Sequence, residues 1–546
     1  MNIACIDCSL VPALESLGHT CLALHPPSGY SRLSPLLEQA DFKPDIIVQQ
    51  ETLGPRKILI DLDAWSCCKA FWSIDTHLNA FWQVAYGRLF DLVLTTQKDW
   101  VDKLKLQGLP HVAWLPWYGF EHSWTPWERR AHEVCFVGRV TGHRMPRKNL
   151  VDFLCSTFNA MFEQNISFAA MKSLYADSRI APNESIMAEV NFRSFEAASC
   201  GCLVINQRFD NGLEELFEPG REMDTFDHVL ELESKIAYYR KNTQQARMVA
   251  LAGRERVLDE HLPVHRAKRL LALCESSPPT ASRGIDSIVA LAMTQWIFHD
   301  ADRIVIDLIP VRDILLSIPC TPDGLATLIR IVHATGSWEN LRDLILPILQ
   351  QGQYAHHLGV NLSASMAALH YGQTALAKQF LLRHIVTCRL RENPGDSDPV
   401  SISRSWSRIL LKEKRIFRIG LSFNPKKSLP ETALECLLVA ESHDPDNPEL
   451  VREISGLFGL QRGLEGSRLR TLSFLSLRAR NDWRMGCELA LNNLRVFRKR
   501  QGLEELVVAH DLAVSQGQRD RFMRTIKRMD PSGMMELWVS SMAAKF

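Results

Sequence analysis

The sequence predicts an α/β protein with two parallel-sheet halves in tandem and an all-helical extension after them. Three observations predict it. Short apolar runs alternate with amphipathic helical segments through the first half of the chain, and such alternation builds parallel sheets covered on both faces. The stretch Ser276-Ser-Pro-Pro-Thr-Ala-Ser-Arg-Gly284 is small, polar and Pro-interrupted, the composition of a linker. Beyond it almost everything has helical period.

The first apolar run, residues 2–6, leads into an amphipathic segment at 10–17. Gly18 supplies a helix C-cap before a second run at 20–25, which makes a βαβ start. Further runs lie at 45–49, 57–61, 69–74, 92–95 and 111–116, with helical patterns at 80–90 and 98–106 between them. The second half begins with a strand at 134–137 and a helix at 149–158. A helix-to-strand passage at 171–182, a helix at 194–199, a strand at 203–206 and a helix at 213–217 follow. Long helices at 229–241 and 244–260 close it. The expected domains are therefore two Rossmann-like halves, 1–125 and 126–275, a linker at 276–285 and a helical domain over 286–546. A cleft between such halves is a natural ligand site, because strand carboxyl ends can face it from both sides. Within the helical region, Gly336-Ser-Trp338 and Gly372-Gln-Thr374 open similar turn-then-helix frames 36 residues apart. Asp444-Pro and Asp530-Pro resemble helix-ending turns. The expectation is a TPR-like repeat array, an architecture that presents a concave binding surface.

A length of 546 residues accommodates three or four domains, and 46% hydrophobic with 23% charged residues excludes a disordered or fibrous chain. With 63 basic and 62 acidic side chains the net charge is +1, so the chain as a whole has no electrostatic claim on nucleic acid. A peripheral membrane association stays open. The most apolar stretch, 304–318, is broken by Asp307, Pro310, Arg312 and Asp313, too interrupted to span a bilayer. The first residues carry no basic segment ahead of an apolar one, so no secretory signal is expected. Fourteen cysteines without framework spacing then read as reduced thiols, and the expected location is cytoplasmic. Cys5-Ile-Asp-Cys8 and Cys200-Gly-Cys202 have no second ligand pair to complete a zinc shell and read as packing residues.

Three constellations carry chemistry. In Asn191-Phe-Arg193-Ser-Phe-Glu196-Ala-Ala-Ser-Cys-Gly201-Cys-Leu-Val-Ile-Asn206, a carboxylate near the start of a short helix is stabilised by the helix dipole and can accept two hydrogen bonds from a vicinal diol. It equally reads as a capping residue. After the strand, Asn211-Gly212 makes a tight loop, and the amides of the next helix offer a seat for phosphate. In Gly138-Arg139-Val-Thr-Gly142-His143-Arg144-Met-Pro-Arg147-Lys148, a strand runs into a basic loop whose cations suit a diphosphate or simply a solvated surface. Fixed cations there would stabilise a leaving nucleoside diphosphate without a metal. In Phe71-Trp72-Ser-Ile-Asp75-Thr-His77, an Asp or His at a strand end is placed to act as a base toward an acceptor hydroxyl, or is structural. Nearby, Trp114-Leu-Pro-Trp117-Tyr118-Gly119-Phe120 offers rings that stack a sugar or pack a hinge. No GxSxG, GxxxxGK[ST] or HExxH motif is present.

The run Phe195-Glu196-Ala-Ala-x-x-Gly201-Cys-Leu-Val-Ile205, with Gly212-Leu-Glu214-Glu215 after it, resembles the C-terminal domain of GT-B glycosyltransferases, and more specifically the CgeB-like family. The segment Met171–Asn183, Tyr238-Tyr239 and Glu260-His261 with Arg266 agree with it, and the likeness covers about residues 130–275. The resemblance implies a nucleotide-sugar donor as substrate with no cofactor and no metal. Glu196 would sit on the ribose hydroxyls and Arg139 and Lys148 on the diphosphate, with Arg144, Arg147, Arg193, Asn183 and Gly212 around the donor. It further implies a glycan or protein acceptor, which the helical region could recognise. Retaining members carry two glutamates with seven residues between them; here Ala188 stands at the first position and Glu189 lies one residue closer to Glu196. The candidate catalytic groups are therefore Asp75, His77 and Glu189. The rival expectations are a catalytically silent GT-B scaffold whose helical repeats bind a protein partner, and an epimerase acting on a nucleotide sugar.

Overall fold

The computed structural model describes residues 1–142 and 144–543. The chain divides into two compact units. One comprises Met1–Thr96, Trp100–Leu115 and Lys268–Leu457; the other comprises Gln97–Asp99, Pro116–Ala267 and Phe458–Phe546. The helical region after residue 267 is thus shared, one part closing each core.

The first unit is built on six parallel strands in the order β2-β1-β4-β6-β7-β8. They are β1 (Asn2–Ile6), β2 (Thr20–Leu24), β4 (Ile46–Gln50), β6 (Cys68–Ser73), β7 (Leu92–Thr95) and β8 (Val112–Trp114). Ile3 pairs with Ile46, Val48 with Ala70 and Phe71 with Val93, so apolar residues fill both faces of the central strands. The run expected as a strand at 57–61 does not join this sheet. It forms β5 (Lys57–Leu59), paired in parallel with β3 (Gly29–Ser31) as a separate ribbon. Apolar patterning marks a strand, not its partner. Over the sheet, Phe71, Trp82, Tyr86 and Phe90 make edge and tilted ring contacts, and the ring of Phe298 in helix Ile285–Asp300 lies tilted against Trp82 at 5.2 Å. The helices that follow residue 284 therefore close this core with Val289, Trp296, Leu308 and Leu328. The Pro-rich segment leading into them is pinned: Asp91 Oδ1 accepts the Ala281 N–H at 3.0 Å, and the Arg88 carbonyl accepts that of Ser282 at 2.7 Å.

The second unit has five parallel strands in the order β10-β9-β11-β12-β13. They are β9 (His132–Val137), β10 (Met161–Glu163), β11 (Ser178–Asn183), β12 (Leu203–Gln207) and β13 (Asp224–Phe226). Its core runs without a break from Phe136, Ile180 and Ile205 through Phe226 and Leu232 into Trp483, Leu494, Phe497, Phe522 and Ile526 of the C-terminal helices. A polar lock sits beside it. Asp227 receives Arg462 Nη1 at 2.6 Å and Arg495 Nη2 at 2.9 Å, and these two cations hold its carboxyl below the ordinary value against the opposing effect of burial. His228 and Asp530, both buried, lie 3.1 Å apart. Among the described residues no helix is long and apolar enough to cross a membrane.

Candidate functional site

The carboxyl ends of β9, β11 and β12 carry most of the residues singled out in the second unit. Glu196 lies on helix Phe192–Ser199, more than one turn from its start, and the first turn holds no acid. It is therefore not a capping residue, and the dipole argument for it does not apply. Arg193, three positions earlier on the same helix, is the cation whose charge acts on it. Oε2 of Glu196 is buried without a hydrogen-bond donor, and burial pushes the carboxyl up to about 7 against the opposing pull of Arg193. A buried acceptor with an unused lone pair is poised for donor groups that the folded chain does not supply.

Arg193 is itself buried. Its Nη2 donates to the Glu184 carbonyl at 2.8 Å, and its guanidinium lies 5.5 Å from the Phe136 ring centre. Burial, then the neighbouring Arg147 cation, pulls Arg193 below its ordinary value. Gly138 makes the space: a Cβ there would come within 2.7 Å of Arg193 Nη1.

The basic loop is less uniform than its sequence suggests. Arg147 is buried, with Nε donating to Glu184 Oε2 at 2.8 Å and Nη1 to the Arg139 carbonyl at 3.3 Å. Lys148 pairs with Asp152 at 2.5 Å on the solvent face of helix Met145–Phe158. Arg144 stands at the start of that helix. Arg139 is exposed, and its side chain has no partner among the described residues. His143 lies outside the described residues.

Asn183 ends β11 inside a buried polar set. Its Nδ2 faces Asn206 Oδ1 at 2.8 Å, Ser194 Oγ at 2.9 Å and Asn191 Oδ1 at 3.0 Å. It ties β12 to the start of the Glu196 helix. Gly212 adopts φ +85° ahead of helix Leu213–Leu216, a single turn that already contains Glu214 and Glu215. Two carboxylates in that turn compete with any anion there, and the Leu213 N–H is taken by Asn211 Oδ1 at 3.2 Å.

Glu189 lies in the loop between β11 and the Glu196 helix. Met187 and Ala188 there adopt φ +51° and +65°, a conformation that costs on the order of 1 kcal/mol or more per residue. The loop is over-determined by its neighbours. Asn211 Nδ2 donates to the Ala188 carbonyl at 2.6 Å. Gln97 clamps Val190, accepting its N–H at 2.7 Å and donating to its carbonyl at 3.2 Å.

In the first unit, Asp75 is the residue before helix Thr76–Gly87 and His77 is buried within that helix. Both follow the end of β6. Beside them is Glu51, which the sequence reading missed. Its Oε2 accepts the backbone N–H groups of Ile74 and Asp75, each at 2.9 Å, and its Oε1 accepts Asn79 Nδ2 at 2.8 Å. Burial pushes Glu51 up, with Arg56 and the two amides opposing. Glu184, Gln97 and Asp227 were missed likewise; each is recognisable only through partners distant in sequence.

The motif residues His261 and Arg266 prove to be scaffold. Arg266 donates to the carbonyls of Pro116, Trp117 and Glu260 and to His261 Nδ1 at 3.0 Å, while His261 Nε2 meets the Leu216 carbonyl at 2.8 Å. Burial pulls His261 down to about 4, so it is neutral. Trp117 is part of this packing, its ring 5.9 Å from that of Phe192.

Residues 117–272 match a family model described as glycosyl transferase-like. No curated protein sequence matches the chain. Among solved structures, a sucrose-phosphate synthase from Thermosynechococcus elongatus is similar at 13% identity and TM-score 0.38, over 50% of this chain and 98% of that one. A glycosyltransferase from Rickettsia africae covers 50% and 97% at 13% identity and TM-score 0.36. HepE of Anabaena, solved in complex with UDP-glucose, covers 50% and 100% at 13% identity and TM-score 0.36. The family match falls on the segment that carries Glu196, Arg193 and the basic loop.

Proposed function

We propose that the protein is a GT-B glycosyltransferase that moves a sugar from a nucleotide-sugar donor to a glycan or protein acceptor, the CgeB-like resemblance being the finer assignment. The observation that carries the reading is the Glu196 carboxyl, buried with an unused oxygen inside the segment that matches the glycosyl transferase-like model. A ribose diol supplies two hydroxyl donors, which satisfy that oxygen and favour the ionised form. Arg193 then balances the charge. Arg139, exposed and unpaired among the described residues, is free to meet the diphosphate and to stabilise the charge that grows on it as the glycosidic bond breaks. Arg147 and Lys148 are already committed to Glu184 and Asp152, so their part is to fix the loop. Asp75, His77 and Glu189 remain the candidates for base and donor-orienting roles.

The test is calorimetric titration with a panel of nucleoside diphosphates, combined with hydrolysis of their sugars, for the wild type and Glu196→Gln. A folded Glu196→Gln protein that binds and hydrolyses like the wild type removes the assignment of Glu196. A wild type that binds no nucleoside diphosphate removes the donor reading as a whole.

A further inference from the structure

A cavity of about 680 Å³ lies within the second unit, and no residue in its C-terminal wall belongs to any motif discussed above. Its size is that of a small-molecule site. One wall consists of residues that follow three adjacent strands: Arg144 to Pro146 at the start of the helix after β9, Glu184 to Met187 directly after β11, and Gln207 and Phe209 at the end of β12. The carboxyl edge of a parallel sheet is where such folds hold their ligands. The other wall comes from the C-terminal helices and includes Gly463, Ser467, Arg470 and Arg498.

The charges do not cancel. Glu184 is neutralised by Arg147, Glu465 by Arg462, and Arg495 by Asp227, each through a partner outside the cavity lining. The side chains of Arg470 and Arg498 are solvent-accessible cations with no ion pair or hydrogen bond among the described residues. The backbone segments next to them are anchored to the sheet. Asp227 bolts Arg462 and Arg495 to the sheet, and Gly463 lies so close to the strained loop that a Cβ on it would sit 2.6 Å from Met187 Cα.

We propose that this cavity binds a phosphate-bearing small molecule and that Arg470 and Arg498 are phosphate ligands supplied by the C-terminal helices. The helical region is then part of a ligand site and not only a surface for a partner. Phosphate fits better than carboxylate, because the uncompensated lining charge exceeds one and the guanidinium fork matches phosphate oxygens. Only the further identification of that phosphate compound with the sugar donor rests on the proposed function.

The test titrates the full-length protein with inorganic pyrophosphate and, separately, with nucleoside diphosphates, comparing wild type, Arg470→Ala/Arg498→Ala and Arg470→Lys/Arg498→Lys. Both arginines are exposed, so the alanine variant should fold, and its melting temperature without ligand checks this. The expected result is pyrophosphate affinity at least tenfold weaker in the alanine variant and partly restored in the lysine variant. Equal affinity in wild type and alanine variant, or no pyrophosphate binding by the wild type, overturns the proposal. Pyrophosphate binding that depends on the two arginines, with no competition from nucleoside diphosphates, supports the cavity and removes the donor from it.

Discussion

Replacing Glu196 by glutamine keeps the shape of the side chain and removes its charge. In the folded chain the carboxyl titrates at about 7 against an ordinary value of 4.5, because burial outweighs the attraction of Arg193. At about 1.36 kcal/mol per pH unit, that displacement amounts to roughly 3 kcal/mol. The folded state holds this proton more tightly than the unfolded state, so it binds more protons between the two values. Stability from this group is complete below 4.5 and is lost as pH rises toward 7. Glutamine has no such titration. The variant should match the wild type in acid and exceed it above neutrality by at most about 3 kcal/mol. A chain with two cores does not unfold in one step, so the readout is hydrogen exchange at the amides of β11 and β12 across a pH series. An advantage that does not change with pH, or a variant less stable than wild type in alkali, would refute the argument. The same substitution should lose nucleotide affinity, an opposition of stability and binding common at ligand sites.

Other consequences are as direct. Arg147→Ala leaves Glu184 buried without its cation and should cost about 3–5 kcal/mol, whereas Arg147→Met with Glu184→Leu should recover much of that in denaturant melts. Lys148→Ala removes only an exposed pair and should change stability by at most about 1 kcal/mol; a large loss of nucleoside diphosphate affinity in that variant would show that the pair opens to a ligand. Arg266→Ala orphans the Pro116 and Trp117 carbonyls and should destabilise by about 2–4 kcal/mol, seen as faster exchange around residues 116–120. Asp227→Ala frees Arg495 and leaves Arg462 with Glu465 alone, and the helices Glu465–Arg478 and Trp483–Arg495 should exchange faster while the first unit is unchanged.

The central strands were legible because a parallel sheet buries both faces, leaving runs such as Ile3 to Ile6 and Leu203 to Ile205 with no polar interruption. The strands β10 (Met161-Phe-Glu) and β13 (Asp224-Thr-Phe) were not, since each is short and contains an acidic residue that breaks the apolar pattern. Position along a helix was misjudged at Glu196 because the helix starts at Phe192, and nothing in the local sequence forbids a later start. The basic loop looked like four equivalent cations. What separates them is whether a carboxylate from elsewhere reaches each one, and Glu184 is 37 residues from Arg147. The strained loop at Met187 and Ala188 had no glycine to announce it; Gln97, Asn211 and Gly463 hold it from three other places in the chain.

The division of the C-terminal helices between two cores sets the order in which the nascent chain can mature. Phe226, Val229 and Leu232 are translated long before Trp483, Leu494 and Phe522, which cover them. At ~5–20 residues per second, the ribosome leaves that apolar face uncovered for roughly a quarter of a minute to a minute. A fragment ending near residue 275 never covers it. Such a fragment should aggregate or recruit chaperones, so assays of this protein belong on the whole polypeptide.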